Sequence, residues 1–274
     1  MNTPLVSICI PAYRCEKTIK EAVTSALNQT YTNLEIIIVD DCSPDHTYEI
    51  LQTIKDDRIR LFKNDRNLGM CGNWNKCMAY SRGEYIHFLH CDDVISPDCI
   101  SKKVEVVKTH RDIVLVFSAT EIINANNKTL MIRRYKTRDV LEDGLSCAYK
   151  SLYRRNIYGE PSNVLFKKNI ADEVNGFCPE LKYVTDWDLW IRISAYGDVY
   201  YINNVLSKYR VSASNVTSSL MISNMLEDDS KMINNLKKFK MISLPFYRIL
   251  LHRIIYFARA CVRYVYMRFW ANYK

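Results

Sequence analysis

Glu35-Ile36-Ile37-Ile38-Val39-Asp40-Asp41 decides the fold. From Ile36 to Val39 every residue is apolar, so a strand built from this run has no wet face. It suits a parallel sheet covered on both sides. On the N-terminal side, Val6 to Ile10 reads as another strand, ending at Pro11. Between the two, Ile19, Ala22, Val23, Ala26 and Leu27 recur at i, i+3, i+4, i+7 and i+8, one face of a helix. On the C-terminal side, Ser43-Pro44-Asp45 opens a helix through Leu51 and Ile54, and Ile59 to Phe62 forms a short strand. Trp74, Cys77 and Met78 fall on one side of a further helix. Tyr85 to Leu89 is a fourth strand, Val104 and Val107 mark a helix, and Ile113 to Phe117 is a fifth strand. This alternation predicts an α/β fold with a mostly parallel central sheet flanked by helices.

Such sheets bind ligands beyond the carboxyl ends of their strands. Three polar clusters fall there: Pro11-Ala12-Tyr13, Asp40-Asp41, and Asp92-Asp93 within His90-Cys91-Asp92-Asp93. Adjacent carboxylates at the end of a buried strand must be compensated. A divalent cation on a diphosphate does so, which makes Asp92-Asp93 a candidate metal handle in a nucleotide-using enzyme. A solvated acidic turn is the plainer alternative.

The 274 residues hold ten cysteines with no CxxC pair and no regular spacing, so they read as free thiols in a reducing compartment. The start, Met1-Asn2-Thr3-Pro4, lacks a basic n-region, and no signal peptide is expected. The net charge of +8 is uneven: Lys231 to Lys274 carries ten Lys/Arg and no acid, leaving 28 basic against 30 acidic residues elsewhere. The main body therefore has no nucleic-acid signature.

From about Asn124 to Tyr158 the pattern weakens and suggests irregular loops over a site. Val164 to Phe166 resumes a strand, Asp186 to Ala195 reads as a helix, and Val199 to Ile202 and Leu206 to Arg210 read as two strands. The expected domains are 1–215, with a nucleotide-binding half 1–120 and an acceptor half 121–215, and a basic helical extension 216–274.

Several ordered segments together resemble the family-2 inverting glycosyltransferases of GT-A fold, of the bacterial surface-polysaccharide type. They are Val6 to Tyr13, Ser25 to Tyr31, Ile37 to Ser43, Asn67-Leu68-Gly69 with Asn73-Trp74-Asn75, Gly83 to Ile86, Asp92-Asp93 with Pro97, Asn175-Gly176-Phe177, and Thr185 to Arg192. The resemblance spans about residues 5 to 215. It implies transfer of a sugar from a nucleotide-diphosphate donor to a hydroxyl of a glycan acceptor, polyprenyl-diphosphate-linked, in O-antigen or capsule synthesis.

The resemblance also implies residue roles. Pro11, Ala12, Tyr13, Asp41, Asn67, Gly69 and Asn75 would bind the nucleotide, with Tyr13 against the base and Asp41 accepting its N–H. A uracil or thymine N3–H suits that acceptor, which favours a pyrimidine donor, and a UDP-sugar is expected. Asp40 would hold its loop through backbone N–H groups. Asp92 would bind Mn²⁺ or Mg²⁺. His90 stands where the family's motif has its first Asp, and it could ligate the cation or touch the donor sugar. Two roles are open to Asp93, a sugar contact or a loop fastener. Asp186 would be the general base, the alternative being a helix N-cap. Asp188 and Arg192, at i and i+4, read as a structural pair. Ser212 stands where the family often has a His that assists at the metal. The rival functions are a nucleotidyltransferase, whose Gly-rich phosphate loop is missing after the first strand, and a non-catalytic sugar-nucleotide-binding partner in a membrane assembly.

In the tail, Arg248, His252, Arg259 and Arg263 fall within roughly 60° of one another on a helix, opposite a wide apolar face. That pattern fits a helix in a membrane interface, its arginines toward anionic headgroups at the inner face of the cytoplasmic membrane. A terminal helix packed on the body is the alternative.

Overall fold

The computed structural model describes residues 3–211, 222–239, 243 and 245–271. Strands and helices alternate in chain order: β1 (Val6–Ala12), α1 (Ile19–Leu27), β2 (Leu34–Asp40), α2 (Thr47–Thr53), β3 (Ile59–Lys63), α3 (Gly69–Tyr80), β4 (Tyr85–Phe88), β5 (Val94–Ile95), α4 (Cys99–Thr109) and β6 (Ile113–Asn124). Then come β7 (Thr129–Arg133), β8 (Val140–Glu142), α5 (Gly144–Arg154), a 3-10 turn (Pro161–Asn163), β9 (Val164–Lys167), α6 (Lys168–Glu173), α7 (Thr185–Ser194), β10 (Asp198–Val211), α8 (Ile222–Leu236) and α9 (Phe246–Ala271).

One ten-stranded sheet runs in the order β3-β2-β1-β4-β9-β6-β10-β5, with β7 on β6 and β8 on β10. The pairs β3-β2, β2-β1, β1-β4 and β6-β10 are parallel. β9 is inserted antiparallel between β4 and β6. Every residue of β1 and β2 is buried, as their uniform apolarity requires.

Side chains alternate across the strands and so divide the core. Ile8, Ile10, Ile36 and Ile38 face α1, α2 and α4, packing with Ile19, Val23, Leu51 and Val104. Cys9, Ile37, Val39 and Phe88 face the other layer, where Trp74, Cys77, Leu152, Trp190, Met232 and Tyr256 bring in α3, α5, α7, α8 and α9. All ten cysteines are free, and Cys9, Cys77 and Cys99 are wholly buried as small apolar residues.

The structure corrects three expectations. The region from 124 to 158 is not irregular: it forms β7, β8 and α5, and the strand begun at Ile113 runs on to Asn124. The two strands expected between Val199 and Arg210 are one, β10, with register shifts at Ile202/Val205 and Val205/Ser207 absorbing Asn203 and Asn204. His252 does not share an exposed basic face. It is buried, with Nδ1 donating to the Leu152 carbonyl at 2.6 Å and Nε2 lying 2.6 Å from Asp229 Oδ1. The side chains of Arg248, Arg259 and Arg263 lie outside the described residues, as does Ser212.

Candidate active site

The carboxyl ends of β1 and β2 are locked together. Asp41 N donates to the Ala12 carbonyl at 2.9 Å, Arg14 N to Ser43 Oγ at 3.2 Å, and Cys15 N to Thr47 Oγ1 at 2.9 Å. Asp40 accepts from Ser43 N at 3.0 Å, the loop-holding role expected of it. Pro11 and Ala12 are buried at the strand end, while Tyr13 projects from it, 41% exposed, with the Arg14 guanidinium over its ring.

Asp41 is almost wholly buried, and its carboxylate accepts from Asn64 Nδ2 at 2.8 Å, Leu68 N at 2.8 Å and Gly69 N at 2.9 Å. These three bonds use three of the carboxylate's four lone pairs. Asn67 closes the same turn, its Oδ1 accepting from Gly69 N at 3.0 Å. Gly69 has φ +75°, where a side chain is strained, so the glycine is a conformational requirement. Asn75 is turned elsewhere: its amide donates to the Phe177 carbonyl at 2.8 Å and accepts from Phe177 N at 2.9 Å. It clamps the Asn175-Gly176-Phe177 turn to α3, and both ends of its side chain are used in doing so.

Beyond β4, one ligand atom each from His90, Asp92 and Asp93 lies within 4.8 Å of the others. Asp93 is fully buried; Oδ2 accepts from Ser162 Oγ at 2.5 Å and Oδ1 from Arg210 N at 2.9 Å. Of its two open roles, this geometry is the loop fastener. Burial, with Asp92 alongside, holds its carboxyl well above the usual range. His90 stacks at a tilt on Trp74, ring centroids 4.9 Å apart, and burial lowers its pKa. Its Nε2 is buried without a hydrogen-bond partner among the described residues. A crowded pair of carboxylates beside an orphaned imidazole nitrogen is a donor set that fits a divalent cation. Asp92, the partly exposed carboxylate, and His90, whose Nδ1 lies 4.0 Å from Asp93 Oδ2, are the groups that would hold it.

Asp186 lies in α7. It is the second residue of α7, not the residue before it, so it cannot be the N-cap; Val184 holds that place. Its Oδ1 accepts from Trp187 N at 2.7 Å. Enclosure by protein, with the nearby Glu160 charge adding, raises its pKa from 3.8 to about 7 despite that bond. A carboxyl poised there can take a proton near neutrality.

Three helices hold it in place. Asp228 of α8 accepts from Lys182 N at 2.9 Å, from Tyr183 N, and from Val184 N at 3.4 Å, capping α7 from outside. Trp187 Nε1 donates to Ser151 Oγ of α5 at 2.7 Å, and its ring stacks with Tyr256 of α9. The Asp188–Arg192 pair is structural, as read: Arg192 is 1% exposed and donates to Asp188, to the Val174 carbonyl and to the Gly176 carbonyl.

Sequence reasoning missed Glu160, Arg133, Ser162 and Arg210. Arg133, at the end of β7, forms a two-pronged ion pair with Glu160. Burial opposes the charge on Glu160, but Arg133 outweighs it and the carboxyl is lowered. Glu160 also acts electrostatically on both His90 and Asp186, which places it between the two halves of the site. Arg210 bonds the Asp92 carbonyl through Nε at 2.8 Å and Glu21 through Nη2 at 2.7 Å, tying the acidic loop to β10 and α1. The one available signal was Gly159-Glu160-Pro161, a turn carrying an acid just ahead of a strand.

Residues 7–179 match the model of glycosyl transferase family 2. Among curated relatives, the UDP-Glc:alpha-D-GlcNAc-diphosphoundecaprenol beta-1,3-glucosyltransferase WfaP of Escherichia coli is 45% identical over 107 residues, covering 39% of this chain and 43% of that protein. Among solved structures, Staphylococcus aureus TarS 1-349 in complex with UDP-GlcNAc superposes with TM-score 0.72 at 17% identity, over 94% of this chain and 72% of that one. The mannosyltransferase PcManGT of Pyrobaculum calidifontis, in complex with GDP-Man and Mn²⁺, superposes with TM-score 0.67 at 15% identity, over 97% and 74%.

Proposed function

The chain belongs to glycosyl transferase family 2, and from that premise we propose that it is a cation-assisted inverting transferase moving a sugar from UDP to a hydroxyl of a lipid-linked glycan. The observation that carries this reading is the presence of two unlike carboxylate environments, both within the field of Glu160. Asp92 and Asp93 crowd together with His90 on the donor side, while Asp186 stands apart with its pKa near 7.

In this scheme the nucleoside rests on the Pro11-Ala12-Tyr13 strand end, its base against Tyr13 and its N3–H toward the remaining lone pair of Asp41. The Asn67-Gly69 turn carries the backbone beside it. When bound between Asp92 and His90, the cation supplies Lewis-acid stabilisation of the departing diphosphate. Asp186 accepts the proton of the acceptor hydroxyl as that oxygen attacks the anomeric carbon from the face opposite the leaving group, so configuration inverts in one displacement. Glu160 keeps the Asp186 carboxylate basic, and Arg133 keeps Glu160 ionised.

A lipid-linked acceptor is supported by the description of WfaP and by α9. No helix among the described residues is long and apolar enough to cross a membrane. Yet α9 packs Ile249, His252 and Tyr256 inward and leaves Phe246, Tyr247, Leu250, Leu251, Ile254 and Phe257 at least half exposed. In a segment with ten cations and no acid from Lys231 onward, such a face suits the headgroup region of an anionic bilayer. We therefore place the enzyme on the inner face of a bacterial cytoplasmic membrane, in surface-polysaccharide synthesis.

A donor screen by thermal shift, with and without Mn²⁺, tests the core of the proposal. UDP-sugars with Mn²⁺ should raise the melting temperature more than GDP-sugars do. A shift indifferent to both metal and nucleotide would refute it.

A further inference from the structure

β7 stands clear of the core on both faces. Its strand partner is β6, and among the described residues no second strand covers its other edge. Leu130, Met131 and Ile132 are 41%, 57% and 48% exposed, and none of them belongs to either core layer. Successive side chains leave a strand on opposite faces, so three exposed in a row leave both faces bare. The register skips Leu130, since Met131 faces Ile122 and Thr129 faces Ile123. That is a bulge, and it bends the strand.

The ribbon is tied to the candidate site at both ends. At its tip, Asn124 Oδ1 accepts from Asn126 N at 3.0 Å and from Lys128 N at 2.9 Å. Asn127 Oδ1 accepts from Arg210 Nη1 at 2.5 Å, and the same arginine bonds the Asp92 carbonyl. At its other end, Arg133 pairs with Glu160. Just beyond, Arg134 and Tyr135 line one small cavity with Arg155 and Ile157, which follow α5. α5 in turn carries α9 through Leu152 and His252, and holds Trp187 through Ser151. The bare strand is thus joined to the acidic loop at one end and to the packing around Asp186 at the other.

Residues 128–138 hold five Lys/Arg and no Asp or Glu. Arg133 is paired with Glu160, and Lys136 with Glu142 at 3.0 Å. Lys128, Arg134 and Arg138 are exposed, and among the described residues none of them has a carboxylate partner. Glu121, opposite Ile132 on β6, is engaged by Thr129 Oγ1 and by Lys208. A bare apolar edge flanked by cations suits an anionic headgroup layer. We propose that β7 is a membrane-contact strand at the active site: Leu130, Met131 and Ile132 enter the headgroup boundary of an anionic bilayer, with Lys128, Arg134 and Arg138 among its phosphates. A free edge more commonly takes another strand. Here the bulge breaks the row of N–H and C=O groups that strand addition uses, and a second copy would bring its own cations against these. The inference rests on the lipid-linked-acceptor reading above. Such an acceptor arrives from the bilayer, and β7 holds the site against the surface that supplies it.

The test is hydrogen–deuterium exchange of the full chain, read peptide by peptide, with phosphatidylglycerol vesicles, with phosphatidylcholine vesicles and with none. The outward amides of an edge strand have no partner and exchange fast until something covers them. On phosphatidylglycerol, residues 125–132 should exchange at least about fivefold more slowly than without vesicles. Phosphatidylcholine should give no such protection, and about 1 M NaCl should abolish it, because the Debye length is then only about 3 Å. In Lys128→Gln/Arg138→Gln the lipid concentration for half protection should rise roughly tenfold or more, as removal of two cations from an anionic surface warrants. Protection of α9 without β7 overturns the proposal and leaves the membrane reading of α9 standing. Protection of neither overturns both. Equal protection on the two lipids, or protection of β7 that grows with protein concentration in the absence of vesicles, also overturns it, the last in favour of a second copy.

Discussion

The two ends of the proposed site, the donor rim and the acceptor rim, are built by different means. On the donor rim, Asp41 fastens the Leu68-Gly69 turn, 28 residues away at most, and Asp40 fastens Ser43, three residues on. These partners follow adjacent parallel strands and meet because the strands meet. On the acceptor rim, Asp186 depends on Asp228, whose nearest bonded partner is 44 residues distant in sequence, and on Ser151, 36 residues before Trp187. The Asp40-Asp41 end of the donor rim is thus completed by the first half of the sheet, whereas Asp93 waits for Ser162 and Arg210 and Asp186 for the docking of α5, α8 and α9. Precision at the base is a property of the whole C-terminal packing.

The sharpest way to break this contrast is Asp186→Asn. Turnover should fall by about 10²- to 10⁴-fold, while UDP–Mn²⁺ binding by thermal shift stays that of the wild type. The rate of the unsubstituted enzyme should rise with pH through about 7, as the carboxyl loses its proton. Stability should run the other way. Between about pH 4 and 7 the folded protein keeps a proton on Asp186 that the unfolded chain has lost, so stability falls as pH rises across that window. Urea titrations at several pH values should show that slope shrinking in the Asn variant.

Next in size is Arg192→Met, which leaves Asp188 buried and removes the links to Val174 and Gly176. Breaking such a pair costs about 3–5 kcal/mol, measurable as a lowered urea midpoint. Asp228→Ala, which uncaps α7, should cost about 1–2 kcal/mol. Unlike Arg192→Met, it should also lower kcat and move the pH midpoint of the rate with donor KM unchanged. A KM change alone would place Asp228 outside base positioning. Smallest for the folded body is the triple change Leu250→Ser, Ile254→Ser and Phe257→Ser. It should change stability by no more than about 0.5 kcal/mol per site, as for surface sites generally, yet reduce cosedimentation with phosphatidylglycerol vesicles. Undiminished cosedimentation would remove α9 from the membrane proposal. Truncation before Phe246 is a poorer probe, because it would also uncover Leu152, Trp187 and Asp229.

The sequence by itself determined the α/β alternation, the parallel pairing of β1, β2, β3 and β4, and the three polar clusters at their carboxyl ends. Those features are local: hydrophobic period assigns the element, and the strand end points to the site. It also named Asp186, through its resemblance to a family, with the helix boundary one residue out. The tertiary structure alone decided what each charge does. Asp93 is a fastener because Ser162 and Arg210 reach it from the 3-10 turn before β9 and from β10. Glu160 and Arg133 join the site because β9 and β7 run antiparallel to their neighbours, which brings the start of β9 to the edge where the parallel strands end. A search confined to residues after strands passes over a residue before one. His252 is buried because Asp229 and the Leu152 carbonyl give it partners that no helical periodicity can reveal. Periodicity is written within an element, whereas partnership between elements is settled only by the packing that brings them together.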